Sequence, residues 1–288
     1  METANPNRKY KDSVFTKLFG TPEKALELYN AINGSNYSKN TKIKMVTLSD
    51  VLYGEQLNDV AFVIEGKLVV LVEHQSTINK NIPLRMLLYI GREYEMLTNS
   101  RDMYKEEKMK IPAPEFVVLY NGKKEMEDFA EMRLSDLFEF DAEGLQNAPC
   151  LELVVKVYNI NKGRNAEMAS RSRSLSDYEE FISDVRKNLE TMDLKSAVKA
   201  AIRSCISRKV LVEFLTRHGS EVENMLLTEW NMETALEVRY DEGVAIGEAR
   251  GETKVLDLLE KGMSLADIRK LLGGREYAAN GMEHGNCS

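Results

Sequence analysis

Apolar residues gather most densely between positions 57 and 75, in two short runs separated by a few polar residues. The runs 58–64 and 68–75 are rich in Val, Ile and Leu, which is typical of strands buried on both faces. Gly66 lies between them and indicates a tight turn. The pattern predicts a β-hairpin around which the rest of the chain is organised.

Three polar residues interrupt the apolar pattern at the open end of this hairpin, namely Asp59, Glu73 and Gln75. Side chains alternate between the two faces of a strand, so Glu73 and Gln75 are expected on the same face. Asp59 joins them only if the loop between the strands has an odd number of residues. The loop length therefore decides whether the three polar groups meet.

We expect a three-residue loop. With Ile64 paired to Leu68, Asp59 lies directly opposite Glu73, and a loop of residues 64–66 makes the two diagonal neighbours instead. A two-residue loop of residues 65–66 would send Asp59 to the opposite face.

Two facing carboxylates repel each other by about 3 kcal/mol at ~5 Å and an effective dielectric constant of ~20. A divalent cation between them reverses the sign, and Mg²⁺ accepts one or two carboxylates together with water and phosphate oxygens. Spacing alone favours a structural role without a metal, in which Asp59 ends a turn and Glu73 lies at a solvated strand end.

Periodicity elsewhere predicts helices and strands in alternation over the first 165 residues. Helices are expected at 11–19, 22–33 and 83–98, and strands at 42–52, 115–120 and 151–157. Helix 83–98 carries an apolar stripe, which we expect to face the core: Leu84, Leu87, Leu88 and Gly91. This order predicts a mixed sheet flanked by helices.

The chain turns helical after residue 174. Ser176 and Glu179 are spaced as a capping box, and a long acidic helix is expected from Asn231. That helix carries glycines at four-residue spacing, which favour close approach of a second helix if they do not mark a frayed linker: Gly243, Gly247 and Gly251. We expect this region to form a homo-oligomer.

Composition and charge argue against a membrane protein, a zinc protein and a nucleotide-binding protein. The 288 residues are 43% hydrophobic and 30% charged, with a net charge of −7, and no apolar run is long enough for a membrane span. Three scattered cysteines and a polar N-terminus favour a cytoplasmic protein without a zinc site, and no GK[ST] motif indicates a nucleotide cofactor. Residues 156–217 hold 13 Lys/Arg against 8 Asp/Glu, a net of +5, whereas residues 218–288 hold 7 against 14, a net of −7.

The expected organisation has four parts. Residues 1–9 and 273–288 are expected to be disordered tails, residues 10–165 the α/β domain, and residues 174–272 a helical C-terminal region.

Asp59, followed after a hairpin by Glu73-His74-Gln75, resembles the PD-(D/E)XK nuclease motif with Gln75 in the place of the usual lysine. The surrounding sequence is most similar to the recombination-promoting nuclease / putative transposase family of bacteria. The matching segments are KDSVFTKLFG (11–20), LNDVAFVI (57–64), LVEHQST (71–77), LRMLLYIGREYE (84–95), PEFVVLYNG (114–122), LELVVKVYNINKGRN (151–165) and NMETALEVRYDEG (231–243).

The resemblance implies a PD-(D/E)XK-like αβββαβ core and a DNA endonuclease that uses Mg²⁺ or Mn²⁺. Asp59, Glu73 and the backbone carbonyl of His74 would then bind the metal, and Gln75 would orient the attacking water. Supporting roles are implied for three further residues, namely Glu27, Arg85 and Tyr89. Their sequence pattern alone favours ordinary helix-surface positions.

Two other functions fit the same residues. A degenerate nuclease fold could act as an interaction protein through its helical C-terminal region. A DNA-binding protein that needs metal but does not cut is the third possibility.

Overall fold

The structure is a computed structural model that describes residues 13–46, 58–74, 79–98, 101–139 and 149–273. Its helices are α1 (Val14–Phe19), α2 (Pro22–Asn33), α3 (Ile82–Leu97), α4 (Ala166–Arg171), α5 (Arg173–Leu189), α6 (Leu194–Ser207), α7 (Val212–Glu260) and α8 (Leu265–Gly273). Its strands are β1 (Ile43–Val46), β2 (Asn58–Ile64), β3 (Lys67–His74), β4 (Ala113–Tyr120), β5 (Phe129–Arg133) and β6 (Val154–Asn159).

The six strands of the described chain form one mixed sheet in the order β1-β2-β3-β4-β6-β5. Strands β1 to β3 are antiparallel, β3, β4 and β6 run parallel, and β5 is antiparallel to β6. Helix α3 supplies the long connection that two parallel neighbours, β3 and β4, require. The order of helix, three strands, helix and strand confirms the predicted mixed α/β fold with an αβββαβ core, and helices follow it.

The hairpin of β2 and β3 closes through a two-residue turn. Ile64 pairs with Lys67, so only Glu65 and Gly66 remain in the loop. Both have positive φ angles, 46° and 77°, as expected of the turn type that matches the twist of a hairpin. The predicted three-residue loop is therefore wrong, because Glu65 adopts the left-handed conformation that the prediction reserved for Gly66.

Two hydrophobic cores lie on the two faces of the sheet. The first packs β2 and β3 side chains such as Phe62 and Leu71 against α1, α2 and α5, with Phe15, Tyr29 and Tyr178 fully buried. The second packs the opposite face against α3 and includes these residues: Ala61, Leu68, Val70, Met86, Phe116 and Val155. Burial on both faces explains why the two hairpin strands carry almost continuous apolar sequence.

Helix α3 presents a different face to the sheet from the one predicted. Met86, Tyr89, Ile90 and Glu93 are buried, whereas Leu84 is 43% and Leu88 is 47% exposed. The predicted stripe was wrong because the sequence contains two overlapping helical stripes. The buried stripe includes a glutamate, which the hydrophobic pattern counted against it.

Helix α5 begins earlier than its predicted capping box. Ser172 is the N-cap, and its side chain accepts a hydrogen bond from the backbone N–H of Leu175. Ser176 therefore lies inside the helix, and Glu179 is buried with 6% of its surface exposed. The predicted capping box of Ser176 and Glu179 is wrong because Ser172 supplies the same acceptor one turn earlier.

The chain divides into two compact units, Met1–Trp230 and Asn231–Ser288. The predicted boundary between residues 165 and 174 does not coincide with this division, because α5 and α6 bury Phe181, Val198 and Cys205 in the first core. The start of α7 belongs to that core as well, through Val222, Leu226 and Trp230. The long helix predicted from Asn231 therefore begins earlier, at Val212.

No helix among the described residues combines the length and the apolar character that a membrane span requires.

Candidate functional site

The parallel strands β3, β4 and β6 end together at one edge of the sheet, which we call the carboxyl edge. His74, the last residue of β3, pairs with Tyr120, the last residue of β4, and Tyr120 pairs with Asn159 at the end of β6. Ligands of open α/β sheets bind outside the carboxyl ends of their strands. The carboxyl edge is therefore the first place to look for a site.

The predicted metal ligands approach this edge on adjacent strands. Asp59 is the second residue of β2 and Glu73 is the next-to-last residue of β3. The register pairs Asp59 with Val72 and Asn58 with Glu73. Under strict alternation the two acidic positions would belong to opposite faces of the sheet, so the facing pair expected from a three-residue loop is not formed by the register.

The described residues contain no group of three or more His, Cys, Asp or Glu side chains that could hold a metal ion. Asp59, Glu73 and His74 are described through their places in β2 and β3, and Gln75 lies outside the described residues. The oxygen atoms of two carboxylates and a backbone carbonyl are the ligand type that Mg²⁺ prefers, so the donor set fits the metal in chemical terms.

A network of polar side chains holds the ends of β4 and β6 together at the carboxyl edge. Arg186 of α5 donates from Nη1 to Oδ1 of Asn121 at 3.1 Å and to Oδ1 of Asn161 at 2.6 Å. Its Nη2 also donates to the backbone carbonyl of Asn121. Asn161 in turn donates to the carbonyl of Gly122 at 3.1 Å. One cation on α5 thus fixes the loops that follow two neighbouring strands.

Asn159 extends this network under the loop after β6. It is 3% exposed, and its Oδ1 accepts from the backbone N–H of Asn161 at 3.0 Å. Its Nδ2 donates to the carbonyl of Met126 at 2.8 Å, and Asn165 donates to the carbonyl of Asn159 at 2.9 Å. Buried amides that satisfy one another in this way rigidify a loop.

Asn121 is the most enclosed member of this network. It is 1% exposed, and its Nδ2 has no hydrogen-bond partner among the described residues. The next residue must be glycine, because a Cβ at Gly122 would lie 2.5 Å from the Tyr120 ring. The buried amide of Asn121 therefore lies directly after Tyr120, and Tyr120 is the register partner of His74.

Asn121-Gly122 reads as a turn in the sequence, and the network around it was not predicted. Two features of the sequence pointed to it: an Asn-Gly pair directly after an almost wholly apolar strand, and the three asparagines of NINKGRN. Arg186 carries no comparable signal, because a lone arginine on an amphipathic helix is ordinary.

Glu27 has structural partners of its own. Its carboxylate accepts hydrogen bonds from Ser172 Oγ and the Ser174 backbone N–H, both at 2.9 Å, and from Lys24 Nζ at 3.1 Å. Burial alone would raise the pKa of Glu27, but the hydrogen bonds from Ser174, Lys24 and Ser172 outweigh it and lower the pKa. A carboxylate is favourable beside the N-terminus of a helix, here α5.

These contacts place Glu27 away from the carboxyl edge. Ser174 and Arg186 are separated by 12 residues along α5, about 18 Å at 1.5 Å per residue. We therefore explain Glu27 as a cap of α5 and omit it from the metal site proposed below.

Arg85 and Tyr89 lie on the first half of α3. Tyr94, farther along the helix, donates from its hydroxyl to the carbonyl of Pro112 at 2.7 Å, just before β4 begins. The end of α3 is therefore near the opposite edge of the sheet, and Arg85 lies nearer the carboxyl edge. Tyr89 is 5% exposed in the second core. Their supporting roles stay predictions.

Comparison with known proteins identifies the family but gives no characterised relative. No curated protein and no solved structure matched the chain. The sequence matches the family described as "Putative transposase, YhgA-like" over residues 10–210, which span α1 to α6 and the whole sheet. The chain belongs to the YhgA-like transposase family.

Proposed function

We propose that the protein is a metal-dependent DNA endonuclease that hydrolyses phosphodiester bonds during recombination, transposition or another step of mobile-element DNA processing. The observation that carries the proposal is the family match, on a chain whose Asp59 and Glu73 lie near the open end of adjacent strands. The αβββαβ order of elements supports it.

Asp59, Glu73 and the backbone carbonyl of His74 would hold one Mg²⁺ or Mn²⁺ ion. Such an ion polarises the scissile phosphate and lowers the pKa of an attacking water. The register requires a local departure from strict alternation near Asp59 or Glu73 for both carboxylates to reach one ion. The described register is one-to-one through Asn58 and Glu73, so this departure, such as a β-bulge, would form when the ion binds.

Gln75 would orient the attacking water through its amide, which both donates and accepts hydrogen bonds. It is neutral, so it neither accepts the proton as a base nor supplies the positive charge of a lysine. We therefore expect slower turnover than a lysine at this position would give.

The second candidate is an interaction protein on a degenerate nuclease fold. It is favoured by the C-terminal unit, in which apolar side chains are exposed to solvent: Val244 at 43%, Ile246 at 53%, Leu256 at 59%, Leu265 at 62% and Leu271 at 58%. We expect this unit to join two copies of the chain, and such a role is compatible with either function.

Cleavage of supercoiled plasmid separates the two candidates. The endonuclease should nick plasmid in Mg²⁺ or Mn²⁺, lose this activity in EDTA, and lose it in Asp59→Asn and in Glu73→Gln. The matched control is Glu107→Gln, an exposed acidic residue in the loop before β4. Wild-type protein that leaves the plasmid intact under all metal conditions would contradict the proposal and favour the interaction protein.

A further inference from the structure

Three lysines surround the polar network of the carboxyl edge. Each directly follows one of its members along the chain: Lys123 follows Gly122, Lys162 follows Asn161, and Lys187 follows Arg186. Adjacent Cα atoms are about 3.8 Å apart, so each lysine backbone is fixed close to the network. We call these three residues the lysine set.

The lysine set has no structural task among the described residues. All three side chains are exposed, and none forms an ion pair with a described residue. Arg164, in the same loop as Lys162, is different because it pairs with Asp128 at 3.2 Å. The positive charges of the set are therefore left to solvent or to a ligand.

Acidic residues accompany the lysine set on the side of Lys123, and the excess of positive charge lies in the segment that supplies Lys162 and Lys187. Glu125 and Glu127 follow Lys123 closely in the sequence, and the Asp128 carboxylate forms an ion pair with Arg164. The wider segment 156–217, which supplies Lys162 and Lys187, has 13 basic and 8 acidic residues although the whole chain carries −7. A protein with this overall charge is repelled by DNA except where positive charge is concentrated.

We infer that the lysine set binds the DNA backbone and positions it at the carboxyl edge. The inference rests on the proposed function and names the residues that hold its substrate. Lysine ammonium groups bind phosphate as point charges and carry no sequence information, so this contact sets affinity and register rather than target choice.

Arg186 holds the backbone positions of the lysine set in a fixed arrangement. Its guanidinium is engaged by Asn121 and Asn161, so it fixes the two loops and α5 relative to one another. Lysines mounted on a rigid network lose less freedom when they bind phosphate than lysines on a free loop. Arg186 is thus a positioning residue, and the lysines make the contact.

The test is the salt dependence of DNA binding, measured by fluorescence anisotropy with a short duplex in EDTA, where metal-dependent cleavage is absent. Each phosphate contact contributes about 0.9 to the slope of log K against log salt concentration. The triple variant Lys123→Gln/Lys162→Gln/Lys187→Gln should therefore bind more weakly at low salt, with a slope smaller by about 2.7.

The matched control is Lys42→Gln/Lys108→Gln/Lys110→Gln. It removes the same charge from three exposed lysines that precede β1 and β4, at the opposite edge of the sheet. It should keep the slope of the wild type. Replacing the lysine set by arginine should also keep the slope. If the triple glutamine variant does not fold, the single variants Lys123→Gln, Lys162→Gln and Lys187→Gln test the inference, each with an expected slope smaller by about 0.9.

Equal slopes in the lysine variant and the control would overturn the inference, as would wild-type protein that does not bind DNA. Plasmid nicking is scored separately. If wild type nicks plasmid but the slopes are equal, the inference about the lysine set is wrong and the endonuclease proposal stands. If the slope is reduced but wild type does not nick plasmid, the lysine set binds DNA and the endonuclease proposal is wrong.

Discussion

Glu179 is a carboxyl group in the interior of the first unit. It is 6% exposed, and its Oε1 has no hydrogen-bond partner among the described residues. Burial raises the pKa of Glu179 to about 8, because the charged form loses its hydration. Between about pH 4.5 and pH 8, Glu179 is therefore neutral in the folded protein and ionised in the unfolded chain.

We predict that stability falls as pH rises from about 4.5 to about 8 and then levels off. The folded state binds the extra proton in this range, so raising the pH favours the unfolded state by on the order of a few kcal/mol in total. Glu179→Gln should lose this dependence and be more stable than wild type above pH 8. The measurement is urea denaturation from pH 5 to pH 9.

Glu167→Gln is the matched control for Glu179, because Glu167 is exposed on α4. It should keep the pH profile of the wild type. A Glu179→Gln profile that follows the wild type at every pH would contradict the account of Glu179.

Glu27 allows a second test at the scale of one residue. Because it caps α5, Glu27→Ala should destabilise the protein by about 1–3 kcal/mol, through the donors of Ser172 and Ser174 that lose their acceptor. The lowered pKa of Glu27 means that this stability is present above pH 4.5 and is lost as pH falls through the folded pKa. Glu27→Ala should nevertheless nick plasmid as wild type does at a temperature where it is folded, and loss of nicking there would return Glu27 to the site.

Buried polar residues mark the limit of prediction from sequence at this scale. Glu93, Asn121 and Glu179 are all at least 94% buried, yet pattern analysis treats such residues as surface positions. Asp59 and Glu73 attracted attention only because they interrupt apolar strands. Glu93 and Glu179 lie on helices, where a charged residue at a core position resembles the solvent face.

At the scale of the elements, the hairpin turn is the feature that the structure changes most. Glu65 has a φ angle of 46°, a conformation that glycine and asparagine adopt more readily. Glu65→Asn should therefore stabilise the protein by up to about 1 kcal/mol, and Gly66→Ala should destabilise it by about 1–2 kcal/mol. Thermal denaturation of the two variants measures this, and the opposite order of stabilities would contradict the two-residue turn.

Most of the sheet was predictable because strands buried on both faces leave continuous apolar runs, as β2, β3 and β4 do, but β5 was not predicted. Loop length was not, since Glu65 and Gly66 suit a two-residue turn and a bulged turn alike. The orientation of α3 was also not predictable, because the sheet beneath it selects Met86 and Ile90 over Leu84 and Leu88. The site depended most on the loop length, so its geometry was the least predictable part.

At the scale of the whole molecule, the start of α7 belongs to the catalytic unit that we propose. Val222 and Leu226 are fully buried and Trp230 is 7% exposed, all in the first core. A protein that ends at Ser220 lacks these side chains and should lose several kcal/mol of stability, since deleting one large buried side chain costs about 2–5 kcal/mol. A boundary at the start of the acidic segment 218–288 would therefore cut through the core.

Truncation after Trp230 should leave a folded protein that binds DNA and nicks plasmid but is monomeric. It should rarely linearise plasmid, because one metal site breaks one strand at a time and a double-strand cut needs two copies. Light scattering of the full chain and the truncated protein measures the difference. Identical oligomeric states would contradict the assignment of self-association to the C-terminal unit.

The proposed metal site requires that Asp59 and Glu73 share one divalent ion, although the register pairs them with Val72 and Asn58. Thermal denaturation with and without Mg²⁺ tests it directly, because an ion that binds only the folded state stabilises it by about 2.7 kcal/mol at 100 times its Kd. We predict a rise in Tm in wild type that is lost in Asp59→Asn, in Glu73→Gln and in the double variant alike. A Mg²⁺-dependent rise that persists in either single variant, or that wild type lacks, would contradict the shared site.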